Sequence, residues 1–497
     1  MVRTIVGYGI ALALAASVLN AQTASPTPQT KPASKPSSAT AKVPKFFPYQ
    51  VHERKLPNGL TVIVIPTPEF KDMVTYATPV FAGSRNETER GKTGLAHLFE
   101  HMMFLHEYGG KDHGYDEMIR LMGAHNNAWT NYDMTFYHPT TFTQNLLGPV
   151  KRPGATVPGL IELEASRFTA LKVGQKTFEV QAGAVLGEYR RIFSYPSEKM
   201  IEQLSPLVFP NHPYGHTVIG FRDDVENMPK AWNAAWAFYN NYYQPNSLAI
   251  VVVGDVKPDT IFAEVEKRYA NWKPVETPTI PEPAEPDGEK VTHVDWEAEV
   301  SPRVMVGYRT PAAQPGTKDT AVTTILEELL ISRSAPLFQK LRYKKQTVTD
   351  MGFAIDPMTT DPFLLLIDTE LKLDEFQKNG QKYIADVRTD LITGIEELQN
   401  FSKQPNAAQT LRVIKSKVRN DFLGSLDSTG DIAQIFSVLY RFDRRTDTID
   451  RMMAAIDSLT PADVDAFAKK YFTPNRRVVA TLWKGDTQQT GTQKEGQ

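Results

Sequence analysis

Apolar and polar positions follow two rhythms along this chain, and each predicts its own elements. Residues 60–64 are almost continuously apolar and follow the turn Pro57-Asn58-Gly59, which predicts a strand. Residues 74–81 predict a second strand. Residues 129–137 alternate and are rich in β-formers. Residues 248–253 form an unbroken apolar run closed by Gly254-Asp255, the mark of a buried strand. Helical spacing covers residues 91–104, 118–122 (stopped by Gly123), 160–171 and 178–192. Residues 303–308, 363–371 and 478–482 predict further strands. Residues 320–331, 336–343, 373–389 and the 430s predict further helices. The result is an α+β chain of two halves, each mixing strands and helices, without a short-period repeat.

Composition places boundaries on this pattern. The chain has 497 residues, too many for one hydrophobic core. Residues 274–288 read PVETPTIPEPAEPDG, a semi-rigid proline-rich linker. Arg3 followed by an apolar run over residues 5–19 and by Leu19-Asn20-Ala21 predicts an export signal. That run is shorter than the roughly 20 residues a membrane span needs, though an uncleaved anchor is the alternative. Residues 22–45 are a Pro/Ser/Thr-rich spacer with little to bury. The expected organisation is a signal at 1–21, a spacer at 22–45 and an N-terminal domain at 46–273. A linker at 274–288, a C-terminal domain at 289–485 and a loose tail at 486–497 complete it. The signal implies an exported protein, and the absence of cysteine in an exported chain best fits a bacterial periplasm.

Charge and cysteine content narrow the chemistry. Net charge is −2 with no basic run, so nothing predicts a nucleic-acid partner. The chain has no cysteine, which excludes disulfides, thiolate nucleophiles and Cys-type metal sites. Any metal must be held by His, Asp or Glu. His97-Leu-Phe-Glu100-His101 sits within the predicted helix. Two imidazoles four residues apart share one helical face and can close on one tetrahedral zinc. Glu100 projects from the same side, where a carboxylate can take a proton from water beside a metal. The flanking Leu95, Leu98, Phe99, Met102, Met103 and Phe104 make the helix apolar almost all round. Three ionisable groups on a buried helix need a compensating partner, and a metal supplies one. A catalytic zinc takes a third protein ligand. By residue type the candidates are His106, Glu107, Asp112, His113, His125, His138, Glu179 and Glu188.

These residues resemble the inverted zinc motif of the pitrilysin and insulysin family, which includes the mitochondrial processing peptidase. Leu56-Pro57-Asn58-Gly59-Leu60, Gly83-Ser84-Arg85-Asn86-Glu87, and Asn127-Ala128 through Thr130 and Asp133 resemble family segments in order. So do His212-Pro213-Tyr214-Gly215 and the stretch from Phe238 to Asp255. The resemblance covers most of residues 50–256 and is looser beyond.

It implies a fold of two related domains, each a mixed, mostly antiparallel sheet packed with helices. It also selects Glu188, at the end of Val185-Leu186-Gly187-Glu188, as third ligand, with Glu179 as the rival. The interval from His101 is longer than the family's, and residues 147–160 read as the inserted loop. The family often carries an acid two turns before the ligand; here that position is Gln181.

The resemblance further implies that Asn127 and Ala128 face an extended peptide added as a strand, although Asn127 also suits a plain turn. Arg342 matches the family's substrate-binding Arg, and it also reads as surface charge. The companion Tyr seven residues on is replaced by Thr349. The implied protein is a secreted endopeptidase with one zinc per chain, acting on peptides or unfolded polypeptides as a homodimer or with a paralogous chain. A peptide-binding or scaffold subunit with little activity of its own is the alternative.

Overall fold

The computed structural model describes residues 43–109, 114–152, 155–355 and 358–485. The predicted signal, nearly all of the spacer, the tail, and the candidate ligands Asp112 and His113 lie outside the described residues. Strands β1 (His52–Lys55), β2 (Thr61–Pro66), β3 (Met73–Val80), β4 (Ala128–Thr130), β5 (Thr135–Tyr137) and β6 (Thr140–Phe142) belong to the first sheet. Among the described residues β7 (Val150–Arg152) and β8 (Ala155–Val157) pair with each other and with no further strand, so the segment expected as an inserted loop carries a two-stranded ladder. β9 (Ala249–Gly254) completes the first sheet, whose order is β1-β2-β9-β3-β5-β4, with β6 also on β3. The second sheet holds β10 (Lys290–Trp296), β11 (Arg303–Thr310), β12 (Val348–Ile355), β13 (Phe363–Leu371) and β14 (Arg477–Lys484), ordered β10-β14-β11-β13-β12. Each sheet contains one parallel pair, β2 with β9 and β10 with β14, and is otherwise antiparallel. This is the mixed α+β architecture expected.

The first-half helices nearest the site are α1 (Leu95–Met102), α2 (Tyr115–Met122), α3 (Leu160–Thr169), α4 (Gln175–Ile192) and α5 (Pro196–Val208). One face of the first sheet, with Val62, Val64, Tyr76, Ile250 and Val252, shares one buried cluster with α1, α3 and α4, and the helix Pro258–Tyr269 packs directly on β2, its Tyr269 hydroxyl 3.0 Å from that of Tyr76. Its other face, with Ile63, Ile65, Ala77, Val251 and Val253, is covered by Phe436 and Leu439 of the helix Thr429–Tyr440, which belongs to the C-terminal half. The exchange is reciprocal. Met200, Ile201 and Leu204 of α5 cover Met305, Leu364, Leu366 and Val478 on the second sheet. Strands covered on both faces need apolar residues at successive positions, which is why β9 and β13 are continuous runs and not alternating ones. Burying each such side chain contributes about 1.5–3 kcal/mol, so neither half can release the other's helix cheaply.

Several local expectations change. Residues 129–137, expected as alternating and β-rich, form a hairpin: the side-chain oxygen of Asn131 accepts the Asp133 and Met134 N–H groups, both at 2.9 Å, and turns the chain. The helix expected from residue 91 starts at Leu95, because Gly94 sits at φ +84. A Cβ on Gly94 would meet the Ile219 carbonyl oxygen at 2.4 Å, so only glycine fits there. The helix over 373–389 breaks at Gly380, φ +57. The helix from Pro336 continues after Phe338 as a wide π-type turn over Gln339–Lys344. Residues 274–288 run without regular structure, and Arg309 holds them by donating to the carbonyls of Pro283 (3.3 Å) and Ala284. Among the described residues no helix is long and apolar enough to cross a membrane.

Candidate metal centre and active site

The start of α1 is built by a buried carboxyl. Glu87 accepts the N–H groups of Gly94 and Ala96, both at 2.7 Å, and so satisfies two donors a helix leaves open. Burial raises the Glu87 carboxyl to about 8, against the N–H bonds that hold it down. Thr93 ties the preceding loop to the segment after Gly220: its hydroxyl donates to Asp224 at 2.7 Å and accepts Phe221 N–H at 2.8 Å. Leu95, Leu98, Phe99 and Met102 are buried, with Phe99 stacked on Tyr239 at 5.4 Å between ring centroids. The remaining face carries His97, Glu100 and His101 toward α4.

α4 supplies the third group. Glu188 Oε2 lies 3.5 Å from His97 Nε2 and 3.7 Å from His101 Nε2. One donor atom from each of the three residues falls within 4.8 Å of the others. Burial and the neighbouring His101 lower His97 to about 3, so its ring is neutral with a lone pair free. Two imidazoles and a carboxylate converging in this way fit a zinc ion. Three lesser features bear on these candidate ligands. Arg191 holds the other Glu188 oxygen at 3.0 Å. His97 Nδ1 is buried with no hydrogen-bond partner among the described residues, and Gln181 stands two helical turns before Glu188 in place of an acid.

The other candidate ligands go elsewhere. Glu179 is exposed and bonds to Gln175. His106 is buried between Ser166 and the Lys172 N–H. Glu107, His125 and His138 stand outside the triad.

Glu100 sits beside the triad. Its Oε2 accepts the Thr130 hydroxyl at 2.7 Å. Burial raises its carboxyl to about 7, with Glu188 adding to the rise and the Thr130 bond opposing it. The triad and Glu100 line a cleft whose walls include Asn127 to Asp133 on one side and Ala354, Ile355, Thr359 and Arg441 on the other. Two sheet edges therefore meet at the cleft, β4 of the first sheet and β12 of the second. In the β4–β5 register, the main-chain groups of Asn127 and Asn131 bond to His138 and Met134. By antiparallel alternation those of Ala128 and Thr130 point to the open side. The Ala128 N–H meets the Asn127 side-chain oxygen at 3.0 Å. Arg342 is not part of this lining: its guanidinium donates to the Val348 carbonyl at 3.3 Å. Thr349 likewise bonds to Glu370, outside the cleft.

Residues 62–221 match the family profile described as "Insulinase (Peptidase family M16)", and residues 233–393 match "Peptidase M16 inactive domain". The chain belongs to the M16 peptidase family. It is 26% identical over 398 residues to the "Zinc protease PqqE" of Helicobacter pylori, covering 77% of this chain and 81% of that protein. It is also 26% identical over 208 residues to the mitochondrial-processing peptidase subunit beta of Blastocladiella emersonii, covering 41% of this chain and 40% of that one. The crystal structure of a protease from Helicobacter pylori aligns with a TM-score of 0.74 at 25% identity, over 88% of this chain and 100% of that chain. The fold of the periplasmic protease PqqL from Escherichia coli aligns with a TM-score of 0.64 at 18% identity, over 89% of this chain and only 48% of that chain.

The M16 segments that the sequence pointed to outside the zinc motif do different work. Asp133 accepts the Tyr214 hydroxyl at 2.7 Å and the Thr360 N–H at 2.9 Å. Asp361 takes bonds from His212 (3.0 Å) and Arg85, and its N–H donates to Tyr214. This buried network locks the loop before β13 to the first domain. Asp361 is pushed up by burial but held below the usual carboxylate range by His212 and Arg85. Sequence reasoning missed Glu87 as a cap, Thr130 as a partner of Glu100, and Arg441 in the cleft. An acid seven residues before Gly94 was the only local signal for the first.

Proposed function

We propose that this chain is an exported zinc endopeptidase that hydrolyses extended peptides or unfolded polypeptides. The observation that carries the reading is the convergence of His97, His101 and Glu188, with Glu100 beside them, under an open strand edge. One zinc per chain, held by those three side chains, supplies a Lewis acid that polarises the scissile carbonyl and lowers the pKa of water. The chain's own groups do the rest. A substrate segment adds to β4 through the main chain of Ala128 and Thr130, while Asn127 releases the Ala128 N–H it now caps. Glu100 takes the proton of the attacking water and delivers it to the leaving amine. A carboxyl raised toward neutrality by burial suits both transfers.

The reading extends to assembly and place. The aligned Escherichia coli chain is about twice the length matched here, which supports a working unit of two such halves, whether two copies or a paralogous pair. In that unit Arg342 meets substrate across the assembly and not within one chain. The apolar N-terminal run and the periplasmic relative support export to the periplasm.

The test is turnover of a quenched fluorescent peptide library by the purified chain, with zinc quantified in the same sample. Zinc near one per chain, with turnover lost in Glu100→Gln, is expected. Folded protein that holds no zinc and cleaves nothing after zinc addition overturns the reading. Zinc without turnover redirects it to a subunit that needs a partner.

A further inference from the structure

We infer that Thr130 is a positioning residue for hydrolysis, fixing the Glu100 carboxylate relative to the strand edge on which substrate lies. The inference rests on the peptidase reading above. Thr130 is the last residue of β4, and its main-chain groups face the open edge. Its side chain points the other way from Trp129, as strand alternation requires, and reaches Glu100 Oε2 at 2.7 Å. No other hydrogen bond to the Glu100 carboxylate is found among the described residues. A glutamate side chain has three rotatable bonds, and fixing it needs a partner that is itself fixed.

Thr130 meets that need. The β4–β5 ladder holds its backbone, and the neighbouring Trp129 Nε1 donates to Gln434 Oε1 at 3.2 Å on the helix borrowed from the C-terminal half. A substrate strand pairing with β4 lies about 4.7–4.9 Å from it. One residue therefore sets both the plane of the scissile amide and the place of the carboxylate that serves it. The second Glu100 oxygen is left free for the reacting water. The Thr130 side chain, as distinct from its main chain on the substrate edge, has no contact with the reacting atoms and acts only through Glu100.

The test compares full-length wild type with Thr130→Val, Thr130→Ser and Glu100→Gln on one peptide substrate. Valine keeps the shape and β-branching but loses the donor. The expected result is a fall in kcat of about 10- to 100-fold for Thr130→Val, with KM within about threefold. Zinc content and melting temperature are expected to stay unchanged, and Thr130→Ser is expected to return kcat to within about threefold of wild type. Three results overturn the inference: a Thr130→Val kcat close to wild type, a Thr130→Ser as slow as Thr130→Val, or a loss that tracks KM or zinc content. A wild type without turnover, or an active Glu100→Gln, removes the reading of a self-sufficient peptidase that uses Glu100, and the inference with it. That pattern is distinct from an active wild type beside an equally active Thr130→Val.

Discussion

Replacing Glu87 with Ala tests whether a buried carboxyl sets the start of α1, the helix that carries the candidate ligands His97 and His101. The change removes the acceptor of two main-chain N–H groups, Gly94 and Ala96, which have no water to turn to. Each orphaned donor costs about 1–3 kcal/mol, so losing the acceptor of both should cost about 2–6 kcal/mol. Urea unfolding followed by circular dichroism, in chelator so that metal binding adds nothing, measures it. A shift worth less than about 1 kcal/mol refutes the assignment. The pH dependence separates two physical pictures. A helix N-terminus favours an anion, which would lower the carboxyl. Burial opposes this and prevails, raising it to about 8. The folded value then lies above the unfolded value of about 4.3, so the native state binds the extra proton between them. Stability contributed by Glu87 is fully present below about 4.3 and falls as pH rises toward 8, by at most about 1.4 kcal/mol per pH unit. The gap between wild type and Glu87→Ala should narrow from pH 5 to pH 9. A gap that widens over that range means that Glu87 is held as a carboxylate and that the helix terminus outweighs burial.

Two further outcomes follow from the geometry. Glu188→Gln removes the only anionic member of the triad and should weaken zinc binding by more than about 100-fold in competition with a chromophoric chelator; affinity within tenfold of wild type counts against Glu188 as a ligand. Asp361→Ala leaves Arg85 with its buried ion-pair partner removed and should cost about 3–5 kcal/mol. Because Asp361 is held below its ordinary value, its stabilisation is present above the unfolded pKa and is lost as pH falls through the folded one. Unfolding midpoints of wild type and variant that fail to converge in acid contradict this.

Much of the fold was legible because it is local. β13 was read residue for residue, since a strand covered on both faces must be apolar throughout. The stretch 129–137 was read only as alternating and β-rich; the turn that makes it the hairpin β4–β5, at Asn131 and Asp133, was not read, because alternation on either side masked it. At the site, the spacing of His97, Glu100 and His101 told where they would project. Glu188 was chosen by resemblance, and residue type alone left eight candidates; the fold separates it from Glu179 by helix phase. Arg342, expected either at the substrate or as plain surface charge, stands apart from the cleft of a single chain.

The sequence by itself determined the periods. A repeat of 3.6 or 2 follows from backbone geometry, so it can be read wherever a face is buried. It also determined the donor set: without cysteine, only imidazoles and carboxylates remain for a metal. The tertiary structure decided which distant groups meet. Thr130 reaches Glu100 across 30 positions, Trp129 meets Gln434 across 305, and each sheet is closed by a helix from the opposite half. Such pairings leave no periodic trace, because a hydroxyl or an amide suits many partners. The one it finds is set by the packing of both halves together.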